Sequence, residues 1–270
     1  MPARARLGKS LCGTAVGWLL LGIPAAWGQA STPPPMAERV LTNIYEIWTM
    51  PHQQKSQPYR IRTEMVIYYF DSEWNNAWGE CEGIPAYLPI FDCPTPLKPG
   101  QRIAIDGVIV PIRERFIWDQ TRVRILEDAV PLKPEMIRNL SDNPKALKGH
   151  LISVEGLIDG LLEDSTHITI NFLAGETTAK AYLVKEAKGQ PLQLKEGDFV
   201  RMECVYSPQF DVNVDINDLS LLVPRPADVE VIGSLNTDRR FNIPITPSQE
   251  IREDTPTNDI IHVRDVVRSH

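Results

Sequence analysis

The feature that most constrains this chain is that it repeats itself. Residues 97–111 (LKPGQRIAIDGVIVP) match residues 194–208 (LKEGDFVRMECVYSP) at a constant offset of 97. Each copy is a glycine turn followed by alternating apolar and polar residues, the pattern of a half-buried strand. A second motif precedes each copy: residues 61–66 (IRTEMV) align with 152–157 (ISVEGL) at an offset of 91. The six-residue difference between the offsets fits a loop insertion in the second module. Repetition at this period means that each copy is a folding unit, and architecture has to be argued per copy.

Each copy then reads as an opening strand, two further strands, the glycine turn, a fourth strand and a closing strand. In the second module the middle strands are expected near Thr166–Phe172 and Thr178–Val184, and the closing strand near Phe210–Leu222. In the first module the closing strand is expected near Trp118–Leu126. Five short antiparallel strands in this span suit a small closed or partly open barrel of the OB type. An immunoglobulin-like sandwich would need about seven strands and about 100 residues. The expected fold class is therefore all-β: tandem small OB-like antiparallel barrels. The 23 prolines, well above an average share, agree with a chain poor in helix interiors. A short helix is expected over Pro134–Leu140, with Pro134 at its first position.

The flanks carry their own signals. Arg4, Arg6 and Lys9 precede a 13-residue apolar run, Leu11–Ile23, broken by Pro24. Gly28-Gln29-Ala30 offers a cleavage site, with Ala26-Trp27-Gly28 as a second. This is the pattern of a secretory signal peptide, and the run is short for a membrane span. An uncleaved anchor is the alternative. No later segment is apolar over 18 residues, so no membrane span is expected in the mature chain, which is placed at the periplasmic or extracellular face. Near the other end, residues 261–266 (IHVRDV) repeat the opening motif a third time. A third module is expected to begin there and to be truncated, unless this strand is an edge of the second module. The expected division is 1–30 signal peptide, 31–58 lead-in, 59–130 first module, 131–145 linker, 146–233 second module, 234–258 Pro-rich linker and 259–270 the first strand of an incomplete third module.

Charge bears on partners. The net charge is −7, and removing the +3 of residues 1–30 leaves −10. Nucleic-acid binders usually carry a basic excess, so nucleic acid is an unlikely partner. Export permits disulfides. Cys81 and Cys93 are expected to pair, and two reduced, buried thiols are the alternative. There is no metal-ligand spacing, and no metal or cofactor is expected. Residues 211–218 (DVNVDIND) resemble the start of a calcium loop but have Ile216 where glycine belongs and Leu222 in place of the bidentate glutamate, so a solvated strand is the better reading. The five histidines are dispersed and read as surface or turn residues. Arg113, Arg115, Arg122 and Arg124 read as a charged outer face.

Aromatic residues concentrate in the first module: Tyr68, Tyr69, Phe70, Trp74, Trp78 and Tyr87. Exposed aromatics on an OB barrel offer stacking surfaces for bases or sugars. Tyr69, Trp74, Trp78 and Tyr87 are the candidate ligand-binding residues. The bland reading is that alternate members are core. Asp71, Glu73, Glu80 and Glu82 lie among them and would repel phosphate, which favours a sugar or another neutral or cationic ligand.

Three segments carry a more specific resemblance: residues 41–48 (LTNIYEIW), 59–71 (YRIRTEMVIYYFD) and 97–107 (LKPGQRIAIDG). Together they resemble the exported input region of bacterial sensor histidine kinases, which are two-component proteins with tandem OB-like domains ahead of a membrane span. The resemblance covers most of residues 38–270 and implies a sensory, ligand-binding role without catalytic residues in this chain. Any kinase activity would lie in a downstream region. The alternatives are a stand-alone periplasmic binding or adaptor protein for carbohydrate or protein partners and, as a third class, a hydrolase. No nucleophile-elbow or zinc-protease motif supports the last.

Overall fold

The computed structural model describes residues 35–185, 193–210, 216–235 and 237. The expected signal peptide, the 234–258 linker beyond these residues, the third module, His262, His270 and residues 211–215 of the acidic strand lie outside them.

Two sheets follow one another along the chain. The first contains β1 (Val40–Leu41), β2 (Tyr59–Asp71), β3 (Asn76–Cys81), β4 (Ile84–Pro89), β5 (Arg102–Val110), β6 (Arg115–Phe116) and β7 (Arg122–Glu127), with a short helix α1 (Tyr45–Thr49) after β1. The second contains β8 (Glu135–Ile137), then α2 (Pro144–Leu147), β9 (Leu151–Glu163), β10 (His167–Ala174), β11 (Thr177–Val184), β12 (Asp198–Phe210), β13 (Ile216–Val223) and β14 (Val229–Ser234). The fold is all-β, in tandem OB-like barrels.

In the second module β9 pairs β10, β10 pairs β11, β11 runs parallel to β13, β13 pairs β12, and β12 returns to β9. That circuit closes a five-stranded barrel. Alternation fills it: Ile152, Val154, Ile158, Ile170, Phe172, Val200, Met202 and Cys204 all point inward. Residues on the opposite pleat, such as Glu155 and Arg201, face out and pair across the strands.

The first module repeats the plan with one strand reduced. β5 pairs β2 along one edge, and along the other meets β6 at Ile109–Val110 and β7 at Arg102–Asp106. β12 is flanked in the same way by β13 and β14. The counterpart of the barrel-closing β13 is therefore the two-residue β6, not the strand expected near Trp118–Leu126. That strand is β7, the counterpart of β14, and it is preceded by a 3-10 turn at Trp118–Gln120. The first barrel is open between β4 and β6. α1 adds Ile44 and Ile47 to its core, and the Trp48 indole N–H donates to the Tyr87 carbonyl of β4 at 3.0 Å.

The repeat extends further upstream than the sequence suggested. β8 lies parallel on β9 as β1 lies parallel on β2. The helix expected over Pro134–Leu140 is thus a strand plus a turn. A seven-residue helix has little stability of its own, and Glu135–Ile137 instead gains a backbone ladder on β9. The stretch 131–145 is part of the second module rather than a linker.

At the glycine turns the two modules match bond for bond. Gly100 and Gly197 both have φ +86°. The Gly100 N–H donates to Ile67 O and that of Gly197 to Ile158 O, each at 2.8 Å. Gly100 O accepts from Val130 N and Gly197 O from Leu235 N, each at 2.7 Å. The backbone N–H of Lys98 donates to the Gln101 side chain, and that of Lys195 to Asp198, each at 2.9 Å. A side chain at φ +86° is strained by about 1–2 kcal/mol. Gly100→Ala and Gly197→Ala should each lower the melting temperature by about 2–8 °C. Gly233→Ala, in β14 with its nearest neighbour 3.8 Å from an added Cβ, should change it little. Differential scanning calorimetry of the three variants checks this.

Candidate functional site

The hairpin β2–β3 ends in a carboxylate shielded from water. Asp71 is 2% exposed. Its Oδ1 accepts the backbone N–H groups of Glu73 at 2.9 Å and Trp74 at 3.2 Å, closing the turn. Its Oδ2 accepts the Tyr69 hydroxyl at 3.2 Å and lies 2.8 Å from Nε2 of His167, on β10 of the second module. His167 is also buried, at 1%. Its Nδ1 is 2.8 Å from Thr166 Oγ1. Burial first, and Asp71 second, push the Tyr69 hydroxyl well above its ordinary range, so it stays a donor.

Apolar and aromatic contacts surround this pair. Tyr69 packs with Leu151, Val205 and Leu222 of the second module. Trp74 stacks on the His167 ring with centroids 4.0 Å apart and meets Tyr182 edge-on at 5.1 Å. Trp78 lies against Gly149, whose φ of +82° and lack of a side chain allow the approach: a Cβ there would sit 2.8 Å from the indole. These residues fasten the modules to each other.

Beside the fastening lies a cleft of about 680 Å³. Its first-module wall is aromatic: Tyr45 and Trp48 from α1, Trp78 from β3 and Tyr87 from β4. Ring centroids are 5.4 Å apart for Trp48–Tyr87 and 5.7 Å for Trp78–Tyr87, so the three rings form a tilted ladder. The second-module wall is polar: Lys145 from α2 and Lys148 at its C-cap, with Ser207 and Gln209 of β12. Glu114 sits at the rim on the first-module side. Burial first, and the Glu114 charge second, raise the Tyr87 hydroxyl above its ordinary range, so it is a neutral donor and acceptor.

The four candidate ligand residues therefore separate. Trp78 and Tyr87 line the cleft. Tyr69 is wholly buried between the modules and Trp74 covers His167, so both belong to the fastening. Tyr45, Trp48 and the two lysines were not singled out. Aromatics at i and i+3 of one helical turn were the available signal for the first two; nothing local marked the lysines, which reach the cleft only through the packing of the modules. His167 was read as a surface or turn residue and is buried, because its partner is 96 residues away.

The expected Cys81–Cys93 disulfide is not formed. Cys81 is buried in the first core, with its sulfur 3.1 Å from Thr63 Oγ1, and the Cys93 thiol donates to Thr95 O at 3.4 Å. The β3–β4 hairpin already pairs Cys81 with Ile84, so a cross-link would add little constraint to this segment. Arg122 and Arg124 stand on the exposed outer side of β7, as expected. Among the described residues no cluster of three or more metal-ligating side chains occurs, and no helix is long and apolar enough to cross a membrane.

No family model matches the sequence, and no curated protein matches it. Solved structures match locally. An OBody bound to hen egg-white lysozyme is 14% identical, with a TM-score of 0.28 over 38% of this chain and 99% of its own. An asparaginyl-tRNA synthetase of Entamoeba histolytica is 18% identical, with a TM-score of 0.29 over 47% of this chain and 27% of its own. A murine DNA-binding protein bound with double-stranded DNA is 13% identical, with a TM-score of 0.29 over 66% of this chain and 99% of its own. At these scores the likenesses carry no argument about function, and the architecture rests on the strand pairings.

Two outcomes test the site's framework. Asp71→Ala and His167→Ala should each destabilise the protein by about 3–5 kcal/mol, because each leaves a buried polar partner unsatisfied. The double variant should cost clearly less than the sum of the singles in a urea-melt cycle. Burial holds the Cys204 thiol protonated well above the ordinary thiol range, so iodoacetamide at pH 8 should leave Cys204 unlabelled in the native protein and label it in urea, as read by peptide mass spectrometry.

Proposed function

We propose that this chain is the exported, ligand-binding input region of a membrane receptor of the two-component type, and that it does no chemistry itself. The observation that carries this reading is the cleft between the modules, with an aromatic wall on one barrel and a hydrogen-bonding wall on the other. Its size is within the range that buries a small ligand, about 300–1,000 Å³. The tilted rings offer apolar contact, and Ser207, Gln209 and the Tyr87 hydroxyl offer polar contacts at the margin. A saccharide, with C–H faces and a hydroxyl rim, fits both.

A ligand bridging the two walls touches both barrels at once. It favours whichever angle between them brings the walls closest, with the Asp71–His167 contact as the pivot. The resemblance to histidine-kinase input regions supports reading that shift as the signal. The same cleft would serve a stand-alone periplasmic binding or adaptor protein, since carbohydrate capture needs only the two modules. Nucleic acid suits the cleft less well. The chain is acidic overall, and Glu114 stands at the rim.

The test is binding of a saccharide panel to the purified exported chain, followed by tryptophan fluorescence, since Trp48 and Trp78 lie in the cleft. Tyr45→Ala and Tyr87→Ala should weaken the best ligand at least tenfold. Tyr45 is 42% exposed, so its replacement should leave the melting temperature nearly unchanged. Undiminished affinity in both variants would remove the cleft as the site.

A further inference from the structure

The polar wall of the cleft has a sign. Lys145 on α2 and Lys148 at its C-cap both line the cleft. Both are exposed, and among the described residues neither makes an ion pair. Four arginines of the strands are, by contrast, engaged. Arg62 pairs with Asp106, Arg102 with Glu64 and Glu127, Arg115 with Asp92, and Arg201 with Glu155 and Glu230. The Lys148 ammonium lies 5.9 Å from the Phe210 ring centroid, which keeps its stem along the second-module wall. What distinguishes the two lysines is their place, side by side on a cleft wall that faces aromatic rings.

Resting on the reading of the cleft as a saccharide site, we propose that its ligand is an acidic saccharide, with a carboxylate held by Lys145 and Lys148 while a sugar face stacks on Tyr87 and Trp48. The charges set the class. Two lysines against the single Glu114 leave the cleft with one net positive charge, which suits an isolated carboxylate and not the closely spaced phosphates of a polynucleotide. Glu114, on the opposite wall, accepts hydrogen bonds from the sugar hydroxyls and repels a second acidic group. The ring ladder and the two lysines belong to different modules, so a ligand with both an apolar face and a charge holds the two barrels together most strongly. Neutral sugars reach the second-module wall through Ser207 and Gln209 alone.

The experiment uses the exported chain and trisaccharides containing glucuronate, galacturonate or N-acetylmuramate, each beside its carboxyl-reduced neutral form, with affinities from tryptophan fluorescence. At least one acidic trisaccharide should bind tenfold or more tighter than its neutral form, with the advantage shrinking from 50 to 500 mM salt. The double variant Lys145→Gln, Lys148→Gln should abolish the advantage and leave the neutral affinity and the melting temperature unchanged. Equal affinity for acidic and neutral forms would overturn the carboxylate assignment and leave the cleft reading intact. Failure of every saccharide would overturn both. Lysine-dependent binding of an oligothymidylate in place of saccharides would overturn the proposal in favour of single-stranded nucleic acid.

Discussion

A carboxylate cut off from solvent has to find all its hydrogen bonds within the protein, and Asp71 finds them in two modules at once. Two backbone N–H groups of its own turn fix one oxygen, and Tyr69 and His167 share the other. The local donors shape the β2–β3 turn so that Trp74 lies over His167. The distant donor ties that turn to the second barrel. The desolvation of such a group is offset only when every partner is in place, so this contact discriminates sharply among arrangements of the modules. Apolar packing of Tyr69 against Leu151, Val205 and Leu222 supplies contact area, and the polar pair supplies register. The cleft follows from that register, because its two walls face each other only in the arrangement the pair selects.

Much of the architecture was legible because the chain states it twice. The glycine turns and the alternation after them identified β5 and β12, and the conformations of Gly100 and Gly197 explain why glycine recurs at that point. The opening motifs identified β2 and β9. What escaped was what the copies do not share or what is too short to show a period. β6 has two residues, and no alternation can be read from two positions, so the closing role passed to the more regular β7. β1, with two residues, and β8, with three, are likewise set by pairing with a longer neighbour. The Pro134–Leu140 stretch looked helical because proline suits a first helical position, but a parallel ladder on β9 outweighs so weak a preference.

The candidate site divided along the same line. Composition located the aromatic concentration correctly, and Tyr69, Trp78 and Tyr87 are register partners on one face of β2, β3 and β4. Tyr69 is covered by the second module, while Trp78 and Tyr87 border the cleft. The distinction depends on how far along that face the second module reaches, and that is a property of docking rather than of local sequence. Lys145, Lys148 and His167 belong to the other module and could be joined to the aromatics only by the fold. The two cysteines show the converse error. Their spacing suited a cross-link, but each is already occupied within the first core or its adjoining turn.

The open seam of the first barrel has a consequence for how the protein behaves among its own copies. Because β6 is so short, β4 has a neighbour on only one side among the described residues, and a bare strand edge is a template on which another chain can grow. β4 begins its second position and ends its last with proline, at Pro85 and Pro89, and neither residue has an N–H to offer an incoming strand. α1 crosses the same strand through the Trp48–Tyr87 bond. The elements that carry the aromatic wall thus double as a guard, hindering a second polypeptide from completing the barrel.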